Sequence, residues 1–249
     1  MPMDLDDIAR TVGSTPNMTL DQARRLEKLV EEYALRDFLE LGFAHGVGTS
    51  YLASLAARRD GRVVAIDRAE ARERQPSAPE TLAATNLAAR VDMCFEPTTY
   101  NWRLMRMIED GRGPRFDLCY LDGAHNWTVD GLAFSLVDQL LRPGGWIVFD
   151  DLNWTYATSS IRDEPWVLEL GDDERTEAHV RKVWDLLVLP NPRYGSFREE
   201  GNWGFAQKLT EGDARSVERV IERQSLPEAA RAALTVTSRR LTSLRHGSG

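Results

Sequence analysis

An α/β fold, with a mostly parallel sheet carrying helices on both faces, is what this sequence predicts. Three observations lead there. Short apolar runs alternate with segments of helical spacing over more than 100 residues. A glycine-rich turn follows the first apolar run, and acidic residues end the second, fourth and fifth. Strands regularly followed by helices imply βαβ units, whose sheet is parallel and covered on both sides.

The elements read in order as follows. Residues 1–16 are polar and hold Gly13, Ser14 and Pro16, so a loose lead-in or flap is expected. Residues 19–33 predict a helix: Thr19 can cap it, and Leu26, Leu29, Val30 and Tyr33 recur at helical spacing. Residues 38–41 form a first short strand ending at Gly42, and residues 49–58 the helix behind it. Strands are expected at 62–67, 91–95, 116–121 and 146–149, with helices at 79–89, 102–109 and 129–141 between them. Arg142, Pro143, Gly144 and Gly145 launch the fifth strand. Two later apolar runs, 183–189 and 203–208, are joined by a stretch with Pro190, Pro192 and Gly195, and would close the sheet as a hairpin. Residues 211–244 read as helical with a break at Ser225-Leu226-Pro227, and the end of the chain as disordered.

Bulk properties narrow the partners. The chain of 249 residues suffices for one large domain with extensions. We expect a flap and helix at 1–35, a main domain at 36–210, and a helical extension with tail at 211–249. A formal charge of -8 argues against nucleic acid or an anionic membrane as partner. No run approaches the roughly 20 apolar residues that span a bilayer. Met1 to Ile8 is acidic and lacks the apolar core of a signal peptide, so the expected location is the cytoplasm. Cys94 and Cys119 lie in apolar runs and read as buried free thiols. Arg231, Arg239, Arg240 and Arg245 mark either a solvated face or the contact of a homodimer or higher homo-oligomer.

The turn Leu39-Glu40-Leu41-Gly42-Phe43-Ala44-His45-Gly46-Val47-Gly48-Thr49-Ser50 joins a strand to a helix start. Such a turn gathers backbone N–H groups and a positive helix end around a polar ligand. A dinucleotide fingerprint needs Gly-x-Gly-x-x-Gly, but position 44 is Ala and the glycines fall at 42, 46 and 48. Asp67 ends the second strand, where a carboxylate can accept from ribose hydroxyls or simply cap a turn. His45 reads as packed or solvent-facing.

Asp122 follows the fourth strand and Asp150-Asp151 the fifth. Carboxylates crowded at neighbouring strand ends resist joint ionisation, and a divalent cation relieves that. Oxygen ligands suit Mg²⁺, Mn²⁺ or Ca²⁺. Three ordinary loop acids are the alternative. His125, three residues after Asp122, would overhang the same crevice and can take a proton near neutrality. Trp127, Trp154 and Tyr156 flank the acids and form either an apolar or sugar-stacking wall or ordinary packing.

The pattern Glu-x-Gly-x-x-x-Gly-x-Gly resembles the first motif of the class I methyltransferases, which use S-adenosylmethionine. The spacing of Asp122, Asp150 and Asp151 is similar to that of their metal-dependent O-methyltransferases of the catechol O-methyltransferase type. His125 stands where catechol enzymes have Lys, as in the macrolide-sugar O-methyltransferases. Pro16-Asn17-Met18 looks like that family's flap over the cofactor.

The resemblance covers about residues 14–210. It implies a Rossmann-like sheet of seven strands and S-adenosylmethionine contacts at Met18, Gly42, Phe43, Ala44, Gly46, Thr49, Ser50, Asp67, Arg68 and Asp122. It further implies Mg²⁺ or Mn²⁺ on Asp122, Asp150 and Asp151, and His125 as general base. The acceptor it implies is a small molecule or oligosaccharide bearing a sugar or natural-product hydroxyl. Metal-independent transfer to another acceptor, and a nicotinamide-dependent oxidoreductase on a similar sheet, remain the competing readings.

Overall fold

The computed structural model describes residues 3–210. The expected helical extension and tail at 211–249 lie outside the described residues.

The chain opens with α1 (Leu5–Val12), capped by Asp4, whose carboxylate accepts the Asp7 N–H at 2.7 Å. Leu5 and Ile8 are buried on one side of it. The loose lead-in expected at 1–16 is therefore corrected: apolar spacing of three residues lets a short helix dock on the body. Next comes α2 (Leu20–Glu32), closed by a reciprocal capping box between Thr19 and Gln22.

The parallel part follows: β1 (Phe38–Leu41), α3 (Val47–Ala57), β2 (Val63–Arg68), α4 (Ala78–Ala84), β3 (Val91–Glu96), α5 (Tyr100–Glu109), β4 (Phe116–Leu121), α6 (Trp127–Leu140) and β5 (Leu141–Phe149). β5 begins five residues earlier than expected, because Leu141 already pairs with Phe116 and the Arg142 to Gly145 stretch is carried as an irregularity before Trp146 pairs with Leu118. Three short helices, α7 (Pro165–Leu168), α8 (Asp172–Thr176) and α9 (His179–Val183), lead to the antiparallel pair β6 (Tyr194–Glu200) and β7 (Trp203–Lys208).

The expected hairpin keeps its second strand and loses its first. Residues 183–189 are helical, ending α9 and continuing as a π turn over Trp184–Val188. An apolar run of that length does not by itself separate helix from strand. Val183, Trp184 and Val188 face inward while Leu186 is 60% exposed, a helical distribution. The strand is instead the charged segment with Arg198, Glu199 and Glu200, at the sheet edge, where charge discourages further pairing.

The seven strands run in the order β3-β2-β1-β4-β5-β7-β6. Alternation along β4 shows how the sheet is covered. Leu118 and Tyr120 enter the apolar layer of α1 to α4, and Cys119 and Leu121 the layer of α5, α6 and α9. Leu41 pairs with Leu121, and Leu121 with Phe149, so the ends of β1, β4 and β5 are level. The chain order reverses between β1 and β4, which places the ligand crevice of an open α/β sheet beyond their carboxyl ends. No helix among the described residues is long and apolar enough to cross a membrane.

Candidate active site

The floor of the crevice is made where β1 and β4 end. Gly42 has φ +89°, and a Cβ there would lie 2.1 Å from the Asp122 carbonyl oxygen. Only glycine lets the two strand ends approach so closely. The chain then turns through Phe43 and Ala44, whose N–H groups donate to Asp67 Oδ2 at 2.9 and 2.8 Å. Asp67 at the end of β2 thus fastens the loop. Its Oδ1 accepts the Arg68 N–H at 2.6 Å. A carboxylate has about four acceptor positions, so capacity remains for a ligand.

Two cavities open over these strand ends. The smaller, about 470 Å³, is lined by Met18, Glu40, Gly42, Phe43 and Ala44 on one side and by Asp122, Asp150 and Asp151 on the other. The larger, about 610 Å³, runs from Arg68 and Thr99 past Asn126 to Tyr156 and Trp166. Asp67, Arg74, Gly123, His125, Trp154 and Ile161 border both, so the cavities meet at His125.

The expected cofactor contacts divide accordingly. Met18, Gly42, Phe43, Ala44, Asp67 and Asp122 line the smaller cavity, and Arg68 lines the larger. Gly46 caps α3 against Ala78 behind the loop. Thr49 and Ser50 line neither cavity: both are fully buried on α3. Thr49 donates to Glu40 Oε2 at 2.6 Å and Ser50 to the Gly46 carbonyl at 2.8 Å, so they brace the turn from beneath.

The expected trio of carboxylates is also rearranged. Asp122, His125 and Asp151 each offer an atom within 4.8 Å of the others. Asp150 borders the same cavity but its carboxylate is turned to accept the Tyr120 hydroxyl at 2.5 Å and the Asp151 N–H at 2.6 Å. Asp151, at φ +56°, swings its carboxylate over the crevice, where Asn202 holds it at 2.8 Å.

His125 Nε2 is buried, lies 3.3 Å from Asp122 Oδ1 and 3.4 Å from Asp151 Oδ2, and makes no well-formed hydrogen bond to either. Its ring stacks on Trp154 with centroids 4.8 Å apart. Trp154 in turn meets Tyr156 edge-on, and Tyr156 meets Trp166 the same way.

The electrostatics follow from this crowding. Burial raises the Asp122 carboxyl, and the charges of Asp151 and Asp67 raise it further against the pull of His125. Burial and the charge of Asp122 push Asp150 up to about 7. Burial alone would depress His125, yet Asp122 and Asp151 outweigh it and the net shift is upward. Glu40, sealed under the glycine loop, is raised to about 8, chiefly by burial.

Several of these residues were not singled out from the sequence. Glu40 stands in the glycine motif, but nothing local tells that its carboxyl faces the cavity. Tyr120, Asn202 and Trp166 had no signal at all, because what places them is contact with residues 30 or more positions away or a cavity formed by folding. Of the other residues noted from sequence, His45 Nδ1 lies 2.8 Å from the Pro76 carbonyl, and Trp127 is 37% exposed. Cys119 is a buried free thiol, while Cys94 is only half-buried.

Residues 39–152 match the family model described as a methyltransferase domain. Solved structures of similar fold include the O-methyltransferase TomG from Streptomyces achromogenes, in complex with S-adenosylmethionine and involved in tomaymycin synthesis. It is 18% identical over 83% of this chain and 89% of its own, with a TM-score of 0.59. The O-methyltransferase from Bacillus cereus, in complex with S-adenosylhomocysteine, is 20% identical over 84% and 93%, also at 0.59. The S-adenosylhomocysteine-bound Podospora anserina methyltransferase PaMTH1 is 17% identical over 84% and 89%, again at 0.59. At such identities these likenesses speak for the fold. No curated protein sequence matches the chain.

Sheet order, glycine turn and domain match together define the class I methyltransferase fold. Within that fold, residues 39–152 carry the methyltransferase-domain match.

Proposed function

We propose that this enzyme moves the methyl group of S-adenosylmethionine to a hydroxyl oxygen of a small molecule, with a divalent cation, Mg²⁺ or Mn²⁺, at the acidic cluster. The observation that carries this is the convergence of Asp122, His125 and Asp151 where the two cavities meet.

The residues present fit a cation. Carboxylate oxygens of Asp122 and Asp151, the donors that hard cations accept, lie within 4.8 Å of each other beside a buried imidazole nitrogen that has no hydrogen-bond partner. Asp122 and Asp151 would hold the ion, with Asp150 beside them on the Tyr120 hydroxyl. The chemistry a cation would supply there is a lowered pKa for the acceptor hydroxyl, as for metal-bound water. His125, whose Nε2 is without a hydrogen-bond partner, takes the acceptor's proton.

Methyl transfer releases a neutral sulfide, so the protein contributes mainly by orientation. Holding the oxygen and the methyl at near-attack distance supplies on the order of 7 to 11 kcal/mol. The smaller cavity takes the amino-acid end of the methyl donor over Gly42 to Ala44, and Asp67 offers its remaining acceptor capacity to the ribose. The wall of Trp154, Tyr156 and Trp166 supports a sugar or a natural-product ring as the acceptor, since flat aromatic faces stack on both.

The experiment is release of S-adenosylhomocysteine on a panel of methyl glycosides and phenols, before and after chelation. Chelated enzyme should lose most turnover and regain it with Mg²⁺. Turnover that survives chelation intact removes the cation and leaves methyl transfer standing.

A further inference from the structure

His125 occupies an unusual stretch of backbone. At φ +49° it is a non-glycine residue in the left-handed region, which needs support from its surroundings. That support comes from outside the turn. The Tyr100 hydroxyl, on α5, donates to Asp130 Oδ1, on α6, in a short contact. The same hydroxyl accepts the Ala124 N–H at 3.3 Å, and Asp130 Oδ2 accepts the Asn126 N–H at 2.9 Å. The two amides that bracket His125 are therefore both held by one Tyr–Asp pair.

The ring of Tyr100 also fills the space beside Gly123. A Cβ at that position would lie 2.5 Å from its Cε1, so only glycine leaves room for the phenol. Tyr100 is 3% and Asp130 0% exposed, so water does not compete for either bond. A second tie, Asn101 Nδ2 to the Val129 carbonyl at 2.9 Å, keeps α5 and α6 in register beside the pair.

We propose that Tyr100 and Asp130 are positioning residues for His125: they clamp its flanking amides and so hold Nε2 between Asp122 and Asp151. The placement of Nε2 is a structural statement, while its use rests on the function proposed above. Tyr100 borders the larger cavity, but its hydroxyl is spent on Asp130 and the Ala124 amide. The effect of the pair is to remove the freedom of a turn that a buried base or ligand cannot keep.

Tyr100→Phe keeps the ring beside Gly123 and deletes only the hydroxyl. By amide hydrogen exchange on the whole chain, Ala124 and Asn126 should exchange about 10-fold or more faster in this variant, with β1, β4 and β5 amides unchanged. S-adenosylhomocysteine affinity should stay within about twofold. Asp130→Asn, which keeps an acceptor for Asn126, should show a smaller acceleration. Unchanged exchange at both amides, or acceleration spread evenly over the sheet, overturns the clamp.

Mn²⁺ binding, followed by proton relaxation, tests what the clamp is for. His125 Nε2 lies against both carboxylates that would hold the ion, so Tyr100→Phe should weaken Mn²⁺ binding and should add nothing further in a His125→Ala background. Additive losses in the double variant overturn the link to His125. Wild-type enzyme that fails to bind Mn²⁺ contradicts the cation reading, while the exchange result still decides the clamp.

Discussion

At the scale of single residues, His125 carries the sharpest expectation. It sits between two carboxylates, stacked on Trp154, at the junction of both cavities. His125→Ala should lower turnover roughly 10²-fold or more while leaving S-adenosylhomocysteine affinity nearly intact. Steady-state rates beside calorimetric titration would check this, and a rate within about threefold of wild type removes His125 from the reaction. Glu40 gives a different test. Its carboxyl keeps its proton up to about 8 in the folded chain, against an ordinary value of 4.5. Between those limits the unfolded chain binds fewer protons, so this group's contribution to stability falls as pH rises and levels off above about 8. Glu40→Gln removes that slope. In metal-free and ligand-free protein, the variant's melting temperature should therefore gain on wild type from about pH 5 to about pH 8. A difference independent of pH would mean that Glu40 is ionised throughout.

At the scale of elements, the site depends on how closely β1 approaches β4. The absent Cβ of Gly42 is what permits it, because a side chain there would collide with backbone, which cannot rotate away. Gly42→Ala should weaken S-adenosylhomocysteine binding about 10-fold or more by displacing Phe43 and Ala44 from Asp67. A crystal structure of the variant with the loop unmoved would contradict this account. Elements also differ in how openly they were written in the chain. The strands β1, β2, β4 and β5 are dense apolar runs buried on both faces, and they were legible for that reason. The edge strand β6 was not, since its charged residues satisfy an edge rather than a core. The helical run after α9 is apolar but for Asp185, and only its packing reveals which side faces inward.

For the whole molecule, the topology brings the glycine loop, the acids and the aromatic wall to one edge of one sheet. Binding to that edge should stabilise the fold: S-adenosylhomocysteine at about 100 times its Kd adds about 2.7 kcal/mol, read as a rise in melting temperature. NAD should produce no rise, and a rise with NAD alone would restore the nicotinamide reading. By itself the sequence determined the alternation of strands and helices, the glycine turn, and the presence of Asp122, Asp150 and Asp151 at strand ends. These are local properties, set by spacing and by what each residue's backbone tolerates. Only the tertiary structure decided how each acid is aimed within the crevice, since Tyr120 claims Asp150 while Asn202 steadies Asp151 from β7's side of the sheet. It also decided that Thr49 and Ser50 brace the glycine turn, and that Tyr100 and Asp130 bracket His125. The direction of a side chain at a strand end depends on partners from distant parts of the chain, and those become neighbours only when the sheet closes.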